Sequence, residues 1–245
     1  MIVGFVGSGS MAAAMARGWA GEFEGMLFSD SGSGRAAALA GELGGEVASN
    51  LEIAGRADLT VVAVKPAKLG EVAPELQAAR NVVSILAATP LEAVESAFPQ
   101  AEVLRVMPNV GVEVRKGVLC VAGNASDAAR EKLAVLGHVF EIPDSDFDQA
   151  TAVMGCAPAY LALAVEALAD AGAAAGLDAD LARKLVVEAA AGTAELLRIR
   201  HPADVREAVA SPGGSTEAGL EALDREGARG AFEAAVRASL ERMRG

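Results

Sequence analysis

Cysteine, histidine and aromatic residues are scarce in this chain of 245 residues. It has two cysteines, two histidines, one tryptophan, one tyrosine and seven phenylalanines. Two cysteines do not build a disulfide framework, and with two separated histidines they do not build a zinc cluster or a multi-histidine site. The sequence therefore predicts no metal centre. The low cysteine content fits a reducing compartment, and we expect a cytoplasmic protein.

Basic residues are outnumbered as well. The chain carries 33 acidic and 21 basic side chains, which gives a formal net charge of -12. Nucleic acids and anionic membranes both attract basic surfaces, so this charge argues against both partners. The apolar start at 1–6 is too short for a signal peptide. Glu166 and Asp170 interrupt the most apolar long stretch, 150–177, which we interpret as a buried helix of a soluble protein rather than a membrane span.

Short apolar runs alternate with helical segments in the first part of the chain. The runs lie at 2–6, 26–28, 59–64, 82–86, 103–106, 118–121 and 138–142, and segments of helical composition lie at 11–20, 35–43 and 125–136. Continuous apolar runs of this length are typical of parallel strands buried on both faces. The alternation predicts a doubly wound α/β sheet.

Strand signals stop after residue 146. The segments 148–175, 180–200, 202–209 and 231–244 have helical composition. We therefore predict an α/β domain over 1–147 and an all-α domain over 148–245. The helical part has few large aromatic side chains, so it buries little area by itself. This composition predicts a homodimer formed through residues that follow Asp148.

A glycine-rich turn directly follows the first predicted strand and opens a helix. Gly7-Ser8-Gly9-Ser10-Met11-Ala12 matches the pattern Gly-x-Gly-x-x-Ala. The first glycine permits the tight turn, the second lets a pyrophosphate approach the backbone, and the alanine lets the helix pack closely on the strand. The helix then offers its N-terminal N–H groups to the phosphates. The turn predicts that the first domain binds a dinucleotide.

Polar residues follow the second predicted strand. Asp30 stands 21 residues after Gly9, where an acidic residue binds the adenine-ribose hydroxyls of NAD. Hydroxyls and one cation surround it and would suit the 2′-phosphate of NADP: Ser29, Ser31, Ser33 and Arg35. Alternatively, Asp30 only forms a turn and Arg35 is a solvated helix residue. The choice between NADP and NAD stays open at this point.

Two further strands end in polar residues. The carboxyl ends of parallel strands line the ligand crevice, so we expect Val64, Lys65 and Pro66 near the cofactor. Lys65 is either a catalytic acid or an ordinary lysine at the edge of the sheet. Asn109, which follows Met107-Pro108, either binds ribose or nicotinamide or only forms a turn.

One segment of the helical half does not have helical composition. Ser211-Pro212-Gly213-Gly214-Ser215-Thr216 combines a proline and two glycines with three hydroxyls, just before a helix that begins near Thr216. Hydroxyls and free N–H groups at a helix start bind anions without any lysine or arginine. The alternative is an ordinary loop between helices, although such a loop does not require this composition.

These segments together resemble pyrroline-5-carboxylate reductases, over essentially the whole chain. The segments that carry the resemblance are Gly7 to Ala12, Val64 to Pro66, Arg105 to Asn109, Pro158 to Tyr160, Glu166 to Gly172 and, most specifically, Ser211 to Leu220 followed by Gly227 and Arg229. The resemblance implies a Rossmann-like domain followed by a helical dimerisation domain. It also implies hydride transfer from NADPH or NADH to the imine carbon of 1-pyrroline-5-carboxylate, which yields L-proline in the last step of proline biosynthesis. Finally, the resemblance implies dimers whose helices interlock, and five such dimers often form a decamer.

The resemblance also implies roles for single residues. The expected phosphate-binding residues are Gly7, Ser8, Gly9, Ser10, Met11 and Ala12, and those near ribose and nicotinamide are Val64, Lys65, Pro66 and Asn109. Ser211, Gly214, Ser215 and Thr216 would bind the substrate, with the Thr216 hydroxyl orienting its ring nitrogen.

Several positions depart from the family pattern. Ser10 replaces an asparagine, Ala88 a glycine and Glu188 a glutamine, and Met154-Gly155-Cys156-Ala157-Pro158 replaces Ser-Gly-Ser-Gly-Pro. Cys156 is either reactive or a small apolar filler. Two other functions stay open: another imine or β-hydroxyacid reductase, and a nucleotide-sensing relative without catalysis.

Overall fold

The computed structural model describes residues 1–244 and divides into two compact units. The first unit contains residues 1–156 together with 243–244, and the second contains residues 157–242. Phe147 is buried against Met107 and Cys120 of the sheet, so the beginning of the helical segment packs within the first unit. The functional division into 1–147 and 148–245 stays a prediction.

Eight strands form one sheet in the order β3-β2-β1-β4-β5-β6-β7-β8. They are β1 Ile2–Val6, β2 Gly25–Ser29, β3 Glu46–Val47, β4 Leu59–Val62, β5 Asn81–Ser84, β6 Glu102–Pro108, β7 Gly117–Gly123 and β8 Gly137–Glu141. The first six strands follow the Rossmann order, and the chain reverses direction across the sheet between β1 and β4. The predicted doubly wound α/β fold is thereby confirmed. The two-residue strand β3 was not predicted, because it has no apolar run.

One pair of neighbouring strands, β6 and β7, is antiparallel, although the apolar runs were expected to form parallel strands. The connection between them is residues 109–116, most of which form a 3₁₀ helix over Val110–Val114. A parallel crossover requires a dozen or more residues. The connection is too short for this, so β7 returns beside β6 in the opposite direction.

Helices cover both faces of the sheet. In the first unit they are α1 Ser10–Gly18, α2 Arg35–Leu43, α3 Asn50–Arg56, α4 Leu69–Val72, α5 Leu91–Ala97, α6 Asp127–Val135 and α7 Phe147–Ala150. Two separate apolar clusters lie against the sheet, one including α1, α2 and α6 and the other including α3 and α5. Trp19, fully buried beside Phe5, donates from Nε1 to the carbonyl of Lys132 at 2.6 Å. These clusters hold the end of β1 and the start of α1 in fixed positions.

The predicted helix over 148–175 is not continuous. After α7, residues Thr151–Gly155 form a π-helical turn, and α8 begins only at Ala157. Cys156 N bonds to Thr151 O at 3.1 Å, five residues back, in this wider turn. Pro158 has no N–H to continue the helical hydrogen bonds, and proline is accepted only in a first helical turn. The proline therefore sets the place of the break.

The second unit consists of helices only. They are α8 Ala157–Ala174, α9 Ala179–Leu197, α10 Pro202–Val209, α11 Ser215–Arg225 and α12 Ala228–Arg244. Tyr160 of α8 bonds through its hydroxyl to Ser239 Oγ of α12 at 2.6 Å. The predicted all-α character of the helical part is thereby confirmed, but few of the side chains in its long helices are buried. Within the described chain, the buried side chains of α8 and α9 are Ala169 and Ala182.

The apolar stretch at the start of the helical part is mostly exposed, not buried as expected. The segment Asp144–Ala174 is long and apolar enough to cross a membrane by length and composition alone, a test that core helices of soluble proteins also pass. Leu161, Leu163 and Leu168 of α8 are each more than 60% exposed. Exposed apolar area of this extent usually marks an interaction surface.

Candidate active site

The glycine turn between β1 and α1 has two glycines with different physical roles. Gly7 has a φ of 99°, and a β-carbon there would lie 2.6 Å from the carbonyl oxygen of Ala63. Only glycine fits this position. A β-carbon at Gly9 would meet no atom within 4 Å. The space beside Gly9 is therefore open to a ligand.

The start of α1 carries no side-chain cap. Gly9 is the N-cap in an extended conformation, and Ser10 begins the helix. Because a helix leaves its first N–H groups without intrahelical acceptors, these groups are available to an anion. Ser10 is exposed and Met11 half-buried, whereas Ala12 is buried in the core. The geometry fits a pyrophosphate.

The hydroxyls of Ser8 and Ser29 hold loops together instead of facing solvent. Ser8 Oγ donates to Ser29 O at 3.0 Å, and Ser29 Oγ bonds to Asn50 Oδ1 at 2.7 Å. Both serines are less than one-tenth exposed. Their direct contact with a cofactor stays a prediction, but their bonds support the turn that carries Gly7 and Gly9.

The Asp30 carboxylate organises the loop after β2. Its oxygens accept from the backbone N–H groups of Gly32, Ser33 and Ala36 at 2.8, 3.1 and 2.8 Å, and from Ser33 Oγ at 2.9 Å. The bond from Ala36, with the other donors, lowers the pKa of Asp30 to about 2. A carboxylate has about four acceptor positions, and all four are used here. Binding of ribose hydroxyls would compete with these bonds.

Arg35 lies at the start of α2, beside the glycine turn. With Gly9 and Ser10 it lines a cavity of about 390 Å³ between α1 and α2. Its Nε donates to Ser33 Oγ at 3.0 Å, and the side chain is exposed. Ser31 is exposed on the same loop. An arginine and a hydroxyl next to a phosphate-binding turn suit a second phosphate, which favours NADPH over NADH.

We expect Arg35→Ala to raise the KM for NADPH by roughly ten- to a hundredfold, because charge-assisted hydrogen bonds are worth about 1.5–3 kcal/mol. The KM for NADH should stay nearly constant. Steady-state kinetics with both cofactors measures the effect. Arg80→Ala, which removes the same charge from an exposed position before β5, is the matched control. Equal losses with NADPH and NADH would exclude Arg35 from the 2′-phosphate site.

The residues after β4 approach the glycine turn. A β-carbon at Gly7 would lie 3.0 Å from the backbone nitrogen of Val64, which shows how closely the two segments pass. Val64 is half-buried, and Lys65 and Pro66 are exposed at the start of a 3₁₀ helix, Pro66–Lys68. The structure thus brings Val64 beside the proposed cofactor site. A catalytic role of Lys65 stays a prediction.

Asn109 connects three backbone segments. Its Oδ1 accepts from the N–H groups of Gly111 and Val118 at 3.2 and 3.1 Å, and its Nδ2 donates to Met154 O at 3.1 Å. The amide thereby joins the end of β6 and the start of β7 to the π-helical turn. These bonds leave one N–H of the side chain for a ligand. Binding of ribose or nicotinamide by Asn109 stays a prediction.

A buried cluster around Arg105 was not predicted from the sequence. Arg105 Nη1 pairs with Asp144 Oδ1 at 2.7 Å, and the guanidinium lies 4.1 Å from the ring centroid of Phe147. Asp144 Oδ2 also accepts from Leu91 N at 3.1 Å. The cluster fixes the residues before the π-helical turn on the sheet. The sequence signal that could have indicated this cluster was an arginine, Arg105, within an otherwise apolar strand.

One of the departures from the family pattern has a local explanation. Ala88 has a φ of 50°, a conformation that favours glycine, which accounts for the usual glycine at this position. Cys156 is half-buried and free, and it ends the π-helical turn. Glu188 is exposed on α9. In residues 1–244, no group of three or more His, Cys, Asp or Glu residues is placed to hold a metal ion.

The loop before α11 presents hydroxyls and N–H groups to solvent. Gly214 N bonds to Ser211 O at 2.9 Å, and Gly213 has a φ of 73°, so residues 211–214 form a tight turn. Gly214 is the N-cap of α11 and provides no side-chain cap. Ser211, Ser215 and Thr216 are exposed. This arrangement suits a carboxylate.

The sequence matches known proteins over both units. Residues 144–245 match the family model described as pyrroline-5-carboxylate reductase dimerisation, and residues 2–88 match that of NADP oxidoreductase, coenzyme F420-dependent. A pyrroline-5-carboxylate reductase of Synechocystis sp. is 39% identical over 79% of this chain and 76% of its own length. The chain belongs to the pyrroline-5-carboxylate reductase family. The resemblance carried by the sequence motifs is confirmed.

Solved structures of this family have the same fold. The 1-pyrroline-5-carboxylate reductase of Streptococcus pyogenes superposes with a TM-score of 0.87 at 28% identity, and covers 99% of this chain and 98% of its own. The Plasmodium falciparum pyrroline carboxylate reductase, solved with NADP bound, gives a TM-score of 0.85 at 27% identity, with 99% and 97% covered. The match to a dimerisation model agrees with the exposed apolar helices and indicates self-association.

Proposed function

We propose that this protein reduces 1-pyrroline-5-carboxylate to L-proline by hydride transfer from NADPH, or less effectively from NADH, as the last step of proline biosynthesis. The observation that carries the proposal is the match to these reductases over nearly the whole chain, at a TM-score of 0.87. The match covers 99% of this chain, the part that carries both the glycine turn and the 211–216 loop included.

The first unit fits a nicotinamide dinucleotide. Gly7, Gly9 and the uncapped start of α1 leave room and free N–H groups for the pyrophosphate. Arg35 and Ser31 would hold the 2′-phosphate, and Val64, Lys65, Pro66 and Asn109 would lie toward the ribose and nicotinamide. When bound, the reduced nicotinamide supplies the hydride.

The 211–216 loop suits a substrate that carries opposite charges. The iminium form of the substrate is positive at its ring nitrogen and negative at its carboxylate. The hydroxyls of Ser211 and Ser215 and the free N–H groups at the start of α11 would hold the carboxylate, because added cations would repel the iminium. Gly214 would line the site with its backbone, since its N–H is bonded to Ser211 O. The Thr216 hydroxyl would accept a hydrogen bond from the iminium N–H. The residues contribute position and electrostatics, which is sufficient because the iminium carbon accepts hydride without a strong acid.

An NADPH oxidation assay with 1-pyrroline-5-carboxylate tests the proposal. We expect turnover that depends on this substrate and yields proline. Reduction of other imines or of β-keto acids in its place would favour the alternative reductase. NADPH binding without any turnover would favour the non-catalytic relative.

We also propose that the protein is cytoplasmic and forms a homodimer through its helical part, with a decamer of five dimers as the larger assembly. Exposed apolar side chains of α8 and α9 support the dimer: Leu161, Leu163, Leu168, Leu181, Leu185 and Leu196. These side chains become buried when a second copy of the chain packs against them. The small side chains of the helical part let the helices of the two copies approach closely. Sedimentation at micromolar concentration should show no monomer. A single monomeric species would contradict the proposed dimer.

A further inference from the structure

Glu217 reaches back into the loop that we assign to the substrate carboxylate. Its Oε2 accepts a hydrogen bond from Gly213 N at 2.7 Å. Glu217 lies in the first turn of α11 and is half-buried, whereas Ser211 and Thr216 are exposed. A negative charge in a first helical turn is stabilised by the helix dipole. Here the same carboxylate also accepts a hydrogen bond from the turn that precedes the helix.

This hydrogen bond satisfies one N–H of the loop and leaves others free. The first intrahelical bond of α11 runs from Ala218 N to Gly214 O. The N–H groups of Ser215 and Thr216 therefore have no intrahelical acceptor, and Gly214 supplies no capping side chain. An external carboxylate finds free donors at Ser215 and Thr216, but not at Gly213.

Two other constraints act on the same turn. Gly213 has a φ of 73°, and a β-carbon at Gly214 would lie 2.7 Å from Ser211 Oγ. The turn is thus closed at one end by the Ser211–Gly214 hydrogen bond and at the other by Glu217. A loop fixed before binding loses less conformational entropy when the ligand arrives.

We propose that Glu217 is a positioning residue. It holds the Gly213 N–H and fixes the turn in the geometry that presents the backbone N–H groups of Ser215 and Thr216 to the substrate carboxylate. The inference rests on the proposed function, since it takes the 211–216 loop as the substrate site. It assigns a task to a side chain that does not itself bind the substrate.

Two substitutions separate the hydrogen bond from the charge. Glu217→Gln keeps an oxygen acceptor of equal reach, whereas Glu217→Ala removes it. We expect Glu217→Ala to raise the KM for 1-pyrroline-5-carboxylate roughly tenfold, with kcat and the KM for NADPH nearly constant. Glu217→Gln should restore the KM to within about threefold of the parent. Glu221→Ala, at an exposed carboxylate one turn later, is the matched control and should behave like the parent.

Amide hydrogen exchange at Gly213 supplies a readout that does not require activity. Exchange should be slow in the parent and in Glu217→Gln, and roughly tenfold faster in Glu217→Ala. Unprotected Gly213 in the parent, or equal KM values in the Gln and Ala variants, would overturn the proposal. A parent that shows the expected exchange but does not reduce 1-pyrroline-5-carboxylate would instead overturn the proposed function and leave the Glu217 hydrogen bond supported.

Discussion

Replacement of Gly9 by valine should abolish cofactor binding and leave the fold intact. A β-carbon at Gly9 meets no atom within 4 Å, so a side chain can begin there without a clash with the protein. The isopropyl group would occupy the space that we assign to the pyrophosphate. Excluding the pyrophosphate removes several charge-assisted hydrogen bonds of about 1.5–3 kcal/mol each, so the affinity for NADPH and NADH should fall by at least about a hundredfold. Calorimetric titration measures the loss.

Gly7→Ala is the informative comparison, because its main expected effect is a loss of protein stability rather than a loss of cofactor binding alone. The alanine would have to adopt a φ of 99° with its β-carbon 2.6 Å from a backbone oxygen. Thermal unfolding should therefore show a lower melting temperature for Gly7→Ala and an unchanged one for Gly9→Val. Normal NADPH affinity in a folded Gly9→Val protein would refute the proposed phosphate site.

The second large effect is expected for Thr216→Val. Valine keeps the branched shape of threonine and removes the hydroxyl. The loss of one hydrogen bond to a charged group costs about 1.5–3 kcal/mol, or roughly one to two orders of magnitude in rate. The loss should appear in kcat/KM for 1-pyrroline-5-carboxylate, while the affinity for NADPH stays nearly constant.

Ser211→Ala provides the contrast within the same loop. If Ser211 binds the carboxylate equally in the ground state and the transition state, its removal raises KM and leaves kcat nearly unchanged. If Thr216→Val turns over at the parent rate, the Thr216 hydroxyl does not act on the substrate and belongs only to the start of the helix. The substrate would then be held by N–H groups alone.

The α/β fold was predictable because its signals are local. Seven of the strands contain a continuous apolar run, and the glycine turn directly follows the first of them. The antiparallel direction of β7 was not predictable from its apolar run, because direction depends on the length of the connection before it. Likewise, the apolar composition of α8 does not state whether its side chains are buried within one chain or against another.

The candidate site was predictable in its glycines and less so in its polar residues. The requirement for glycine at position 7 follows from backbone geometry that the motif encodes. The position of Asp30 in the sequence indicated either a residue that binds ribose or a turn. Only the structure shows that four hydrogen bonds from the loop use the acceptor positions of its carboxylate. Asn109 is a similar case, because its partner Met154 is distant in the sequence.

The chain contains one tryptophan and one tyrosine, and these two chromophores fall in different compact units. Tryptophan emission therefore follows the surroundings of Trp19 in the α/β unit, and second-derivative absorbance of Tyr160 follows the helical unit. Unfolding curves recorded with the two signals coincide when the whole chain unfolds in one step. They separate on dilution when the helical unit, whose apolar side chains need a partner, loses its structure first. The protein thus carries an optical probe in each unit without any labelling.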